Sequence, residues 1–222
     1  MTTAIQRRPA GTRPGTRWGW ALFGLLALSL IPVVSGILRL VQLAGGPDLM
    51  PADPRFATSA APLAVHVAAS LVFALAGAVQ FVPRLRRNGW HRRAGRMVAA
   101  AGMVAAGSAL WITLYYPHKP GTGDLLSVLR LVFASAMIAC LALGVAAILR
   151  GDTRTHRAWM IRAYAIGMAA GTQALTEGIS KAVLGSSVLL DDAAKGMGWV
   201  INLAVAEWVI RRPRRQRAGA VR

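Results

Sequence analysis

Residues 171–185, "GTQALTEGISKAVLG", place Gln173, Glu177 and Lys181 at i, i+4 and i+8 in a run that is otherwise apolar. On a helix these three share one stripe. A second stripe, His66, Ser70, Phe73, Gly77 and Gln80, follows a four-three-four-three spacing in another apolar stretch, and Arg39 and Arg130 stand in two more. Charged groups in such surroundings cost about 2.5–3.5 kcal/mol each on membrane-insertion scales, so they suggest function by default. A glutamic acid kept protonated there could protonate an alkene or epoxide, and the rings of Trp111, Tyr115 and Tyr116 could stabilise the carbocation formed. That chemistry makes Glu177 and His66 the catalytic candidates. Arg39, Arg130, Gln173, Lys181, Trp111, Tyr115 and Tyr116 would then bind the substrate. The substrate would be lipophilic and isoprenoid-like, and the most concrete enzyme is a membrane-bound terpene cyclase needing neither cofactor nor metal.

Whether these residues can meet depends on the elements that carry them. The chain has 222 residues, 55% of them apolar and 15% charged, with a mean hydropathy of +0.47 and a formal net charge of +18. Its basic residues gather in clusters separated by apolar stretches of about 18–25 residues, long enough to cross a hydrocarbon core of roughly 30 Å. The pattern predicts an all-α, polytopic transmembrane bundle of about six spans: 19–41, 61–83, 95–117, 124–149, 157–184 and 193–210. Residues 19–211 form one bundle in this reading, between disordered basic tails at 1–18 and 212–222.

Of the 26 Lys and Arg residues, 20 fall in the N-terminal tail, in 84–96, in 150–162 and in the tail from Arg211. The alternate loops carry only Arg55, Lys119 and Lys195, against five aspartates. Positive charge accumulates on the cytoplasmic side, so both termini are expected there. The clusters flank spans, where they set topology and touch anionic lipid headgroups; they need no nucleic acid to explain them. The first apolar stretch is too long for a cleaved signal peptide, and no A-x-A site follows it. Cys140, the single cysteine, excludes an intramolecular disulfide and reads as a packing residue. Small residues such as "AAAGMVAAGSA" allow helices to approach closely.

Counting along the spans puts Arg39, His66, Arg130, Glu177 and Lys181 within roughly 5–11 Å of the outer boundary, one polar layer. Two other functions suit such a layer. His66 and Arg130 could contact a quinone carbonyl or haem propionate in a redox protein. Alternatively, Arg39, Arg130 and Lys181 against Glu177 alone could bind an anionic lipid head or solute, for transport or sensing. His91 and His156 lie more than about 20 Å from His66, at the inner interface, and read as structural. Glu207 and Arg211, at i and i+4, read as an ion pair. The adjacent Asp191 and Asp192 suit a helix N-terminus better than a metal.

The combination of His66, "GAVQF" (77–81), Arg84, "HRRAGR" (91–96), "HRAWMIRAYA" (156–165) and "NLAVAEW" (202–208) resembles bacterial predicted membrane proteins grouped as domain of unknown function 2306. The resemblance spans roughly residues 60–210. It rests on His66, Gln80, Arg84, His91, Arg92, Gly95, Arg96, His156, Trp159, Met160, Arg162, Tyr164, Asn202 and Glu207. It implies a small helical bundle in the bacterial cytoplasmic membrane and no established activity. Similar sequences place an arginine about twelve residues after the position of Arg162; this chain has Ala174 there.

Overall fold

Two of the interhelical loops consist of a glycine followed by a capping side chain. Gly151 and Gly185 adopt φ of 78° and 82°, a left-handed turn open to glycine at no steric cost. Each is followed by an N-cap: Asp152 accepts from the Thr155 amide at 2.9 Å, and Ser187 from the Leu190 amide at 3.3 Å. The Thr155 hydroxyl and amide hold the Asp152 carboxyl below the usual carboxylate range.

The computed structural model describes residues 14–51, 53–57, 59–82 and 89–212, with side chains from residue 23 onward. Its helices are α1 (Pro14–Leu43), α2 (Ala61–Gln80), α3 (Gly89–Tyr115), α4 (Asp124–Leu149), α5 (Thr153–Gly167), α6 (Ala169–Leu184) and α7 (Val188–Arg211), with one 3₁₀ turn at Pro54–Phe56. The described residues contain no strand. The expected tails lie outside them except at their inner ends: α1 already begins at Pro14, five residues before the expected start of the bundle at 19. Arg84 also lies outside the described residues.

Phe23–Leu43, α2, α3 and α4 are long and apolar enough to cross a membrane. The other helices differ from the expected pair of spans. The stretch 157–184 is two helices of 15 and 16 residues, broken at Met168. Gly167 and Gly171 flank the break, and small-residue pairs are a common cause of such kinks. Asn202 of α7 stands against it, donating to the Ala165 carbonyl at 3.0 Å and accepting from the Thr172 hydroxyl at 2.7 Å. α7 begins five residues before the expected 193, so it includes Asp191 and Asp192 as well as Lys195.

Consecutive helices pack on one another, and α5 and α4 also pack against α7, while α1 rests on α2 and α6. The core gathers Phe73, Val98, Met137, Leu141, Tyr164 and Ile166. Gly102 and Gly167 make room for the Phe73 ring: a Cβ at either would meet it at 2.6 and 2.5 Å. Arg162 clamps α5 to α7, its Nε and Nη2 donating to Glu207 at 2.5 and 3.1 Å, with the guanidinium over Trp159. Arg211, the partner expected for Glu207 from the sequence, is the longer contact at 3.4 Å. Two parallel charge-assisted bonds outweigh one flexible i,i+4 pair. Glu207→Gln should lower stability by about 2 kcal/mol. A thermal midpoint unchanged in detergent would show that the clamp is idle.

Candidate functional site

At the end where α1, α3 and α6 finish and α2, α4 and α7 begin, the bundle lines a half-open cavity of about 540 Å³. Its deep wall is apolar, formed by Phe73 and Leu71 of α2, Met137 and Ala134 of α4, Ile166 at the helix break and Trp199 of α7. Phe133 stacks on Trp199 from behind, ring centroids 4.8 Å apart, which fixes the indole. The remaining wall is cationic: Arg39, Arg55, Lys119, Arg130 and Lys195 line it, with Asp53 the one acid among the lining residues.

His66 lies in this cavity. Its Nδ1 is 2.9 Å from the Ala105 carbonyl and 3.2 Å from the Ser108 hydroxyl. A carbonyl only accepts, so Nδ1 carries the proton and neutral His66 has Nε2 as an acceptor. Arg39 donates to Gln42 Oε1 at 2.8 Å and to the Pro51 carbonyl at 3.1 Å, both neutral. Arg55 holds Asp53 through Nε at 2.9 Å and Nη2 at 2.6 Å. The hydrogen bonds from Arg55 hold the Asp53 carboxyl below its ordinary range.

Arg130 is different. It is partly buried, and among the described residues it has neither a hydrogen bond nor an ion pair. Asp192 attracts it and Arg55 repels it, both without contact. Gln173 also lines the cavity, its side-chain nitrogen buried without a partner.

The other candidates fall outside. Glu177 and Lys181 pair at 2.6 Å and do not line the cavity; Glu177 reaches it only through Lys195, at 3.1 Å. Lys181 extends the network to Asp191 at 3.7 Å. Trp111 and Tyr115 pack on each other, 53% and 68% exposed, away from the lining. Tyr116 supports the cavity indirectly, its ring 5.0 Å from Phe56 and its hydroxyl on the Ser59 carbonyl. So the structure brings together Arg39, His66, Arg130 and Gln173, and leaves Glu177, Lys181, Trp111, Tyr115 and Tyr116 apart.

Sequence reasoning missed Arg55, Lys119, Lys195 and Trp199. A signal existed for two of them: Asp192, Lys195 and Trp199 are spaced i, i+3 and i+7, one face of a helix. Asp192 has its own task. Its Oδ2 accepts from the Gly123 and Leu126 amides, each at 3.0 Å, capping α4 from a different helix. His156 is tied likewise, Nδ1 donating to the Gly144 carbonyl at 2.8 Å.

The chain matches the family described as predicted membrane protein, DUF2306, over residues 63–210. It belongs to that family. No curated protein and no solved structure matches it. The family span includes His66, Arg130 and Lys195, together with the Arg162–Glu207 clamp, Tyr164 and Asn202. Helix α1 and the loop bearing Asp53 and Arg55 precede it, so this chain closes one cavity wall with residues outside the family match.

Proposed function

We propose that this membrane protein binds an amphipathic anion, its charged head among Arg39, Arg130 and Lys195 and its apolar part over Phe73, Met137 and Trp199. Arg130 carries this reading. A partly buried guanidinium without a partner is destabilising, and a ligand that supplies the missing charge offsets that. Of the three functions the sequence suggested, this supports anionic lipid or solute binding over a terpene cyclase, because Glu177 does not line the cavity and is engaged by two lysines. Glu177 instead positions Lys195 at the wall. Glu177→Gln should therefore weaken ligand binding only a few-fold, whereas loss of a catalytic acid costs roughly 10²–10⁴-fold in turnover. His66 and Arg130 in one cavity also suit a quinone, whose oxygen would bridge them. An absorption spectrum with a quinone signature from the purified protein would favour that alternative.

In this proposal α5 with α6 completes a fifth crossing, α7 a sixth, and both termini are cytoplasmic, in the bacterial cytoplasmic membrane. Reporter fusions after Arg87 and after Arg154 should behave alike and opposite to one near Asp53. A cytoplasmic signal from the fusion near Asp53 would overturn the orientation.

The binding reading is tested by calorimetric titration of the protein in neutral maltoside micelles. Octanoate should bind, and octyltrimethylammonium and octanol should not. Equal binding of all three would mean that the site reads only the chain, and the proposal would fail.

A further inference from the structure

We infer that the head group this cavity takes is a phosphate monoester or diphosphate, an oxyanion bearing two or more charges, rather than a carboxylate. The inference rests on the amphipathic-anion reading and adds the charge of the ligand to it.

The argument is one of charge sorting. The cavity end of the bundle holds six basic residues, Arg39, Arg55, Lys119, Arg130, Lys181 and Lys195. It also holds six acids, Asp48, Asp53, Asp124, Glu177, Asp191 and Asp192. The counts balance, yet five of the cations line the cavity and only one of the acids does. The other acids are turned to other partners. Asp48 accepts from Gln42, and Asp124 faces His118 from the exposed start of α4. Glu177 takes Lys181 and Lys195, Asp191 accepts from Ser186, and Asp192 accepts from backbone amides of α4.

After Asp53 has neutralised Arg55 and Glu177 has engaged Lys195, three cations on the lining have no ion pair among the described residues. These are Arg39 from α1, Lys119 from the loop before α4, and Arg130 from α4. Arg39 has neutral acceptors only, Lys119 stands at the exposed rim, and Arg130 has no hydrogen bond or ion pair among the described residues, only the attraction of Asp192 at a distance. One carboxylate answers one of these charges. A phosphate monoester carries nearly two at neutral pH and offers three acceptor oxygens, which suits guanidinium groups that line one cavity from different helices.

Octyl phosphate and octyl sulfate separate charge from shape, since both present tetrahedral oxygens on the same chain but sulfate stays monoanionic. Below micellar concentration at pH 8, octyl phosphate should bind about tenfold more tightly than octyl sulfate. As pH falls through the second phosphate ionisation, near 6, that preference should collapse to within about threefold. The groups facing the ligand are Arg39, Asp53, Arg55, His66, Lys119, Arg130 and Lys195, and their own protonation also depends on pH. Octyl sulfate controls for it, because it responds to the protein's titration but not to its own. Equal affinities at pH 8 would overturn the phosphate assignment while leaving the amphipathic-anion reading intact. Binding of neither would sink both. Inorganic phosphate and pyrophosphate form the last arm: affinity matching that of octyl phosphate would make the ligand a free solute, and overturn the lipid-borne head.

Discussion

Asp192→Ala should lower stability by about 3 kcal/mol, the largest expected loss from any single side chain near the cavity. Asp192 is 1% exposed, and its Oδ2 satisfies the Gly123 and Leu126 amides at the start of α4. The first amides of a helix have no partner within it, and leaving two of them buried and unpaired costs about 1–3 kcal/mol each. Loss of a negative charge near the positive end of the helix dipole adds a few tenths. One term acts the other way, because the second oxygen, Oδ1, is itself buried without a partner. Asp192→Asn keeps an acceptor for the amides and should cost about 1 kcal/mol. Thermal unfolding of both variants in detergent checks the ranking. If alanine were as stable as asparagine, the α7-to-α4 cap would contribute nothing.

Gly171→Ala should displace α1. A Cβ on Gly171 would overlap the Leu28 carbonyl oxygen, a backbone atom that cannot rotate away as a side chain can. Overpacking usually costs 1–3 kcal/mol, and a rigid neighbour puts this site at about 3. Helix α1 packs mainly on α2 and α6 among the described residues, so moving it is easier than deforming the core. Cysteines replacing Gly36 and Val67 report the shift, since a Cβ at Gly36 already lies 3.1 Å from a Val67 methyl. With Cys140 replaced by alanine, this pair should crosslink readily when Gly171 is present and poorly in the alanine variant. Equal crosslinking would mean that α6 yields instead of α1.

The sequence pattern reveals the spans well where the physics is one-dimensional. A run such as 124–149 is predominantly apolar, and α4 occupies those same residues. Position along each helix is legible for the same reason, and His66, Arg39 and Arg130, expected in one layer, line one cavity. Azimuth is not. Glu177 and Gln173 share a stripe on α6, yet Gln173 lines the cavity while Glu177 turns to two lysines, because Lys195 reaches Glu177 from α7, a contact that the stripe does not show. Asp192 was hidden for a second reason: a helix capped by a side chain 66 residues away leaves no local trace. Lys195 and Trp199 sat in a segment diluted by glycine and asparagine, where a membrane span is hardest to read. Arg55 lay in a proline-rich loop, whose path periodicity does not predict.

The central claim is that Arg130 is kept for a ligand and against stability. The most direct measurement is the thermal midpoint of the wild type and of Arg130→Met, each with and without saturating octyl phosphate. Arg130→Met removes a charge that has no partner, so its ligand-free midpoint should equal or exceed that of the wild type. Ligand should raise the wild-type midpoint by several degrees, as about 2.7 kcal/mol follows from a hundredfold excess over the dissociation constant. In the variant the same addition should raise it little. A variant that melts below the wild type and keeps the full ligand-induced rise would make Arg130 a structural residue, and contradict the account.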